Sequence, residues 1–144
     1  MGAAVVDPGG QRPRAGAPKG EPMLARAVNH ISFAVADLER SLAFYRDLLG
    51  LAEVPRPDLP VAGAWLGVGA AQVHLIVVPP GVEVGGKPPA LNPIDCHAAF
   101  SVADYGETLA ALRARGLEVL ETGPENGQMW VRDPDGHIIE LTTR

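Results

Sequence analysis

The chain has 144 residues, of which 47% are hydrophobic, and its formal net charge is −5. Length and hydrophobic content suit one domain of ordinary size, the negative charge disfavours a nucleic-acid surface, and no apolar run approaches the ~18 residues of a membrane span. The single cysteine, Cys96, excludes an internal disulfide and fits a reducing compartment. We therefore expect a cytoplasmic protein with neither nucleic-acid nor membrane partners.

Residues 1–25 are rich in Gly, Pro, Ala and Arg and have no periodic pattern. Such a composition buries too little apolar surface to offset the entropy of ordering, which predicts a disordered tail before a folded domain of residues 26–144. The tail lacks the apolar core of a secretory signal. Met23 is an alternative to Met1 as the biological start, because the ordered pattern begins just after it.

The first predicted module spans residues 26–78 and has the order βαβββ. Side chains alternate between two faces over residues 28–35, which predicts a strand. Asp37 can cap the helix that follows, and Gly50 ends that helix. The apolar stripe of the helix consists of Leu38, Leu42, Tyr45 and Leu49. Three further strands are predicted over residues 51–54, 61–68 and 71–78.

Residues 79–94 are predicted to be a linker, because proline and glycine interrupt this stretch repeatedly. The second module, residues 95–144, repeats the order βαβββ. Its first strand covers residues 96–102, and its helix is capped by Asp104 and closed by Gly116. The remaining strands are predicted over residues 117–121, 128–131 and 137–143.

The two modules are related by an internal repeat. The stretch His30–Asp37 returns as His97–Asp104, an offset of 97 − 30 = 67 residues. His74 likewise precedes Glu140 by 140 − 74 = 66 residues, and a leucine follows each of them. A self-similar period of this kind indicates duplication of one supersecondary unit.

Four ionisable residues lie inside apolar strands at equivalent positions of the repeat: His30, His74, His97 and Glu140. If a pseudo-twofold axis relates the modules, these side chains converge around it, and three imidazoles with one carboxylate make a site for one divalent cation. Burying an ionised carboxylate without a partner is costly, which also favours a ligand role for Glu140. These donor types suit Zn, Ni, Co, Fe or Mn without choosing among them.

His137 lies 140 − 137 = 3 residues before Glu140, so on a regular strand its side chain faces the opposite side. We expect a surface or hairpin residue at this position, not a ligand. Trp65 and Trp130 either line a cavity or fill the core. Strand parity and position make Ser32, Gln72 and Gln128 further candidates for a cavity wall.

These features resemble the vicinal oxygen chelate superfamily, which includes glyoxalase I, fosfomycin-resistance thiol transferases, extradiol dioxygenases and bleomycin-resistance proteins. The matching stretches are Asn29–Leu38, Phe44–Leu51 and Asp133–Leu141, and the resemblance covers residues 27–144. It implies an α+β fold in which two βαβββ modules form a cupped mixed sheet around a metal. It implies the same four ligands as the repeat: His30, His74, His97 and Glu140.

The resemblance also implies a small-molecule substrate that binds the metal through two vicinal oxygens. The leading hypothesis is a lyase or isomerase of glyoxalase I type acting through a metal-stabilised enediolate, with Glu140 or a metal-bound hydroxide as the base. Glyoxalase I generally has a glutamate at the position of His74. The alternatives are a thiol transferase of the fosfomycin-resistance type or a dioxygenase on the same scaffold, and a non-enzymatic small-molecule binding protein.

Relatives with one module pair per chain commonly form homodimers in which each site draws one ligand pair from each subunit. The resemblance therefore implies a homodimer in which His30 and His74 of one chain face His97 and Glu140 of the other. The linker is long enough to permit the alternative, in which both modules of one chain close the cup between themselves.

Overall fold

The structure is a computed structural model that describes residues 24–144. Residues 1–23 of the predicted tail therefore lie outside the described residues. Each of the two predicted modules contains one helix and one four-stranded sheet. In both sheets the first strand of the module pairs in parallel with the fourth, and the other neighbours are antiparallel. This arrangement confirms the predicted α+β fold of two βαβββ modules. Within the described residues, no helix is long and apolar enough to cross a membrane.

The first module has its strands in the order β1-β4-β3-β2 across the sheet. Asp37 caps its helix as predicted, because the carboxylate accepts a hydrogen bond from the backbone N–H of Arg40 at 3.0 Å. The elements of this module are β1 (His30–Val35), α1 (Leu38–Leu42), β2 (Ala52–Val54), β3 (Gly63–Val68) and β4 (Ala71–Val77).

The predicted first helix is not α-helical throughout. After the single turn of α1, residues Ala43–Leu48 form a π-helical segment. The predicted apolar stripe, with residues three and four apart, includes Tyr45 but not its neighbour Phe44. Here the wider π turn accompanies burial of both Phe44 and Tyr45, which are 5% and 0% exposed. Gly50 follows the segment with a φ of +79°, the left-handed conformation predicted for it.

The second module repeats this plan with the strand order β5-β8-β7-β6. Asp104 caps its helix by accepting a hydrogen bond from the backbone N–H of Glu107 at 2.7 Å. Its third element has two residues in place of the five predicted. The elements are β5 (His97–Ser101), α2 (Tyr105–Ala114), β6 (Leu120–Glu121), β7 (Gln128–Arg132) and β8 (Ile138–Thr142).

One face of each sheet packs into a common core with the helices. Alternating residues of the strands supply this face, among them Val35, Leu66 and Leu75 of the first sheet and Val131 and Ile139 of the second, all 0% exposed. The residues between them face away from this core. All four candidate ligands lie on these opposite faces, which we call the open faces.

The turn between β7 and β8 fastens the second module to the first. The hydroxyl of Tyr45 donates a hydrogen bond to the buried carboxylate of Asp133 at 2.7 Å. Asp135 accepts hydrogen bonds from the backbone N–H of Ala36 at 3.0 Å and from the hydroxyl of Ser41 at 3.3 Å. Two carboxylates of one turn therefore bind the start and the middle of the first module's helical region.

Candidate metal centre

His97 and Glu140 form a close pair on the open face of the second sheet. Ala99 lies opposite Glu140 in the parallel β5–β8 ladder, so His97 is a diagonal neighbour of Glu140 on the same face. The Nε2 atom of His97 is 2.9 Å from Oε2 of Glu140. The side chains are 24% and 10% exposed, so the pair is largely shielded but open to a ligand.

The hydrogen bonds of His97 set its tautomer. Its Nδ1 lies 2.7 Å from the backbone carbonyl oxygen of Asp95, and because that oxygen has no proton to give, Nδ1 carries the hydrogen. In the neutral ring, Nε2 then has a lone pair that faces the carboxylate of Glu140. A lone pair and a carboxylate oxygen at 2.9 Å need a cation between or beside them, either a proton or a metal ion.

The spacing of the pair fits a metal ion. Two ligand atoms that each lie about 2.1 Å from a metal are about 3.0 Å apart at the right angle of octahedral coordination and about 3.4 Å apart at the tetrahedral angle. The measured separation of Nε2 and Oε2 is 2.9 Å. The second carboxylate oxygen of Glu140 accepts a hydrogen bond from Nε2 of Gln128 at 2.9 Å, which holds the carboxylate in place.

The first sheet carries the other two candidates, His30 and His74. Their rings stack with centroids 4.0 Å apart, and Trp65 stacks on the far side of His74 at 4.2 Å. Burial lowers the pKa of His74, and the charges of His30 and Arg56 lower it further. His74 therefore stays neutral, which is the form that binds a metal.

The two histidines present different nitrogens. Nδ1 of His30 donates to the amide oxygen of Asn29 at 2.7 Å, which leaves Nε2 of that ring with its lone pair. In His74 it is Nε2 that contacts the amide oxygen of Gln72, at 2.8 Å. A metal bound at Nε2 of His74 would therefore replace Gln72. An open cavity of about 480 Å³ lies over this pair and is lined by Asn29, His30, Trp65, Ala70, Gln72 and His74.

The structure thus brings the four sequence-predicted ligands together two by two. In the part of the chain that is described, no three side chains of the His, Cys, Asp or Glu type come close enough to hold one metal ion. Each module presents half of a ligand set on its open face. The donor types and the spacing of the second pair fit a divalent cation, whereas the first pair needs its bond to Gln72 broken or must use Nδ1 of His74.

His137 lies in the hairpin connection between β7 and β8, one of the two positions expected for it, but its side chain is not on the surface. Its side chain is 15% exposed, its Nδ1 lies 2.7 Å from Asp133, and its ring packs against Phe33 at 4.9 Å. Burial alone would raise the pKa of Asp133, but hydrogen bonds from His137 and Tyr45 hold that pKa below its usual range. His137 supports the junction between the modules and does not join either ligand pair.

The sequence analysis identified some of the residues around the candidate ligands and missed another. Trp65 and Trp130 line the open faces and do not fill the core, because they lie opposite His74 and Glu140 in the strand ladders. Gln72 and Gln128 contact those same two ligands. Arg132 was missed by the sequence analysis, although it shares the parity of Gln128 and Trp130 on β7.

Two βαβββ modules with candidate metal ligands on their open faces are the arrangement expected of a vicinal oxygen chelate scaffold. The chain belongs to the Glyoxalase/Bleomycin resistance protein/Dioxygenase superfamily, whose sequence profile matches residues 27–141. This assignment confirms the resemblance inferred from the sequence motifs.

The chain is similar to enzymes of two named kinds. Glyoxylase I 4 of Arabidopsis thaliana is 30% identical over 128 residues, which cover 85% of this chain and 73% of the relative. Metallothiol transferase FosB of Staphylococcus epidermidis is 31% identical over 126 residues, or 81% of either chain. This chain spans less than half the length of three plant lactoylglutathione lyases that it also matches, namely 43%, 36% and 43%.

Solved structures agree on the fold. The crystal structure of a glyoxalase family protein from Bacillus anthracis superposes with a TM-score of 0.67 at 26% sequence identity. The superposition covers 84% of this chain and 97% of that protein. The matched region thus spans nearly the whole of that protein and both modules of this one.

Proposed function

We propose that this protein is a divalent-metal-dependent enzyme of glyoxalase I type, a lyase or isomerase that forms an enediolate by removing a proton next to a carbonyl. The observation that carries the proposal is the His97–Glu140 pair, in which an imidazole nitrogen faces a carboxylate oxygen at 2.9 Å, a position where a divalent cation can replace the bridging proton. The names of the relatives, Glyoxylase I 4 and several lactoylglutathione lyases, support this reaction class. The proposed metal ligands are His30, His74, His97 and Glu140.

Glu140 is the proposed base as well as a ligand. Gln128 holds Oε1 of its carboxylate and His97 faces Oε2, so Glu140 must release one of these two contacts to accept a substrate proton. When bound, a divalent ion would draw two neighbouring oxygens of a small-molecule substrate to the site and stabilise negative charge on them. One carboxylate against a charge of about +2 leaves a net positive site, which suits an anionic intermediate.

We further propose that two chains share each site in a homodimer. The ligands occur as two incomplete pairs, and within residues 24–144 of one chain no third metal-binding side chain joins either pair. Facing the open face of a first module with that of a partner's second module unites the two pairs. The resulting dimer has two complete sites.

The reaction is tested with the metal-loaded full chain, methylglyoxal and glutathione, following S-lactoylglutathione by NMR. We expect product formation with at least one of Zn, Ni, Co, Fe and Mn. Glu140→Gln should slow it by about a hundredfold or more, because a general base contributes about 10²–10⁴-fold. Glu125→Gln, a change at an exposed loop residue, is the matched control and should keep the wild-type rate. A metal-loaded protein that forms no product with any of these ions would contradict the proposal.

A second candidate is a thiol transferase of the fosfomycin-resistance type, which the 31% identity to metallothiol transferase FosB favours. The same preparation is incubated with fosfomycin and a thiol, and a covalent adduct is sought by mass spectrometry. Adduct formation without S-lactoylglutathione would favour this candidate. Oxygen uptake with a catechol would indicate a dioxygenase. A protein whose stability and ligand binding ignore added Ni, Zn and Mn would be a binding protein.

The shared site is tested by complementation between two inactive chains. One chain carries His30→Ala with His74→Ala, and the other carries His97→Ala with Glu140→Ala. After subunit exchange, heterodimers should contain one complete site and one empty site, so metal binding should partly return. Each variant mixed with itself is the control. If exchange is verified by mass spectrometry and restores no metal binding, each chain builds its own site.

A further inference from the structure

Two buried side-chain donors in residues 24–144 have no hydrogen-bond partner, and both lie on β7. They are the indole Nε1 of Trp130 and the Nε of Arg132. Trp130 is 6% exposed and Arg132 is half-buried. Buried polar groups in native proteins almost always have partners, so two orphans two residues apart on one strand need an explanation.

Strand geometry puts both side chains beside the proposed ligands. Trp130 lies opposite Glu140 in the β7–β8 ladder, and the same face of β7 carries Gln128, which binds Glu140. Arg132 follows two residues later on that face, so it is a diagonal neighbour of Glu140 at about 7–8 Å between backbones. An arginine side chain is long enough to reach over that distance toward the open face.

Arg132 is a cation without an anion. Among the described residues its side chain forms no hydrogen bond or ion pair. Two carboxylates at neighbouring positions are engaged elsewhere, Glu140 with His97 and Gln128, and Asp133 with Tyr45 and His137. An arginine side chain is positively charged under ordinary conditions. The charge of this half-buried side chain therefore has no negative partner among the described residues.

We propose that the substrate carries an anionic group, a carboxylate or a phosphonate, that Arg132 binds while the vicinal oxygens of the same molecule approach the metal position. The Nε1–H of Trp130 donates to the same substrate. This inference rests on the proposed metal site and names the class of molecule that the site accepts. Planar guanidinium donors match the paired oxygens of either anion.

The internal repeat indicates which of the two modules holds this anion site. Arg132 pairs with Ile138, whereas at the equivalent place in the first sheet Gly67 pairs with Gln72. Glycine has no side chain, so the first module supplies no cation at that position. The anionic end of the substrate therefore lies over the second module of the cup, on the side of Glu140.

Three hydroxamates test the inference, because a hydroxamate binds a metal through two neighbouring oxygens. Acetohydroxamate is neutral beyond that group, succinate monohydroxamate adds a carboxylate, and phosphonoacetohydroxamate adds a phosphonate. Their affinities for the Zn-loaded full chain are measured by calorimetry, without any need for activity. We expect at least one anionic probe to bind about tenfold or more tightly than acetohydroxamate, and the tighter of the two identifies the anion.

Arg132→Gln should remove that gain, lowering the affinity of the preferred anionic probe by about tenfold to a hundredfold. The same variant should change acetohydroxamate affinity by less than about twofold, which also verifies that the variant is folded. Trp130→Phe, which removes the N–H but keeps an aromatic ring, should cause a smaller loss. Should Arg132→Gln fail to fold, Arg132→Lys replaces it and should keep part of the gain.

The outcomes separate this inference from the proposed function. If acetohydroxamate binds but the anionic probes gain nothing, or keep their gain in Arg132→Gln, the anion site is overturned while the metal site stands. If the wild-type protein binds neither zinc nor acetohydroxamate, the proposed function is overturned and the anion site with it.

Discussion

The two modules share one backbone plan but carry different chemistry on their open faces. Trp65 lies beside His74 in the first sheet, and Trp130 lies beside Glu140 in the second. The first pair of candidate ligands is thus two neutral rings, and the second is an imidazole and a carboxylate. Two stacked neutral histidines need no ion between them, whereas a carboxylate that faces an imidazole lone pair needs a proton or a metal ion. In the proposed site, the second module would therefore hold the metal most strongly and the first would complete its coordination.

The residues around the candidate ligands also differ between the two modules, with polar side chains in the second. At equivalent places Gly63 and Gly67 of the first sheet correspond to Gln128 and Arg132 of the second, because their ladder partners Ile76 and Gln72 correspond to Thr142 and Ile138. The first module has glycine, without a side chain, where the second module places polar side chains. We infer that the first module shapes the cavity and the second supplies its charge.

The largest expected effect on stability concerns a third difference, the turn before the last strand of each module. The turn between β7 and β8 carries Asp133, whereas the turn at Gly69 and Ala70 carries no acid. Asp133→Asn should lower the free energy of unfolding by about 3 kcal/mol, because it breaks a buried charged network that joins the modules. Urea unfolding monitored by tryptophan fluorescence measures this change. Glu118→Gln, at an exposed position, is the control. A loss below about 1 kcal/mol would mean that the junction depends on other contacts.

The same residue predicts a pH dependence. The folded-state pKa of Asp133 lies below the ordinary value, because hydrogen bonds from His137 and Tyr45 outweigh the effect of burial. Its contribution to stability is therefore fully present above the unfolded pKa of about 3.9 and is lost as the pH falls through the folded pKa. Unfolding free energies of the wild type and of Asp133→Asn should approach one another as the pH falls below about 4. A gap that widens on acidification would contradict this sign.

How far the sequence predicts the molecule depends on the range of the interaction. Asp37 and Asp104 cap the helices as expected, because capping depends on residues three positions apart. Strand parity likewise put all four candidate ligands on the open faces. The contact of Tyr45 with Asp133 spans 88 residues, and no local pattern encodes it. The pairwise division of the ligands has the same origin, because it depends on how the modules pack and not on their repeat.

A smaller effect on stability is expected at Gly63, the position of the first sheet that corresponds to Gln128. A Cβ atom on Gly63 would collide with the carbonyl oxygen of Leu75 on the neighbouring strand. Gly63→Ala should therefore cost about 1–3 kcal/mol of stability, as overpacking does. Gln128→Ala, at the equivalent place of the second sheet, should cost less than about 1 kcal/mol, because its side chain is half-buried on the open face. Equal losses in thermal unfolding would contradict the expectation that only the position in the first sheet is too crowded for a side chain.

Gln128→Ala should instead act on the metal. Its amide fixes Oε1 of Glu140 at 2.9 Å, and removal of such an outer contact typically weakens metal binding by about tenfold to a hundredfold. Competition with a fluorescent zinc chelator measures the affinity. Gln128→Glu keeps the side-chain length but replaces the amide donor by a carboxylate. It cannot donate the hydrogen bond to Glu140, so zinc affinity should not be restored through that contact. An unchanged zinc affinity in Gln128→Ala would show that the carboxylate is held by other groups.

The smallest effect is expected for Gln72→Ala, the matching change in the first module. Gln72 contacts Nε2 of His74 at 2.8 Å, so it occupies a nitrogen that a metal could use. Gln128 holds a ligand by its other oxygen, whereas Gln72 competes for the ligand atom itself. We therefore expect zinc affinity in Gln72→Ala to change by less than about threefold, or to rise, because the competitor has been removed. The same chelator competition decides the matter, with Gln128→Ala as the reference. A tenfold loss in Gln72→Ala would mean that Gln72 orients His74 and that its Nδ1 is the metal-binding atom, so that the two modules support their ligands in the same way.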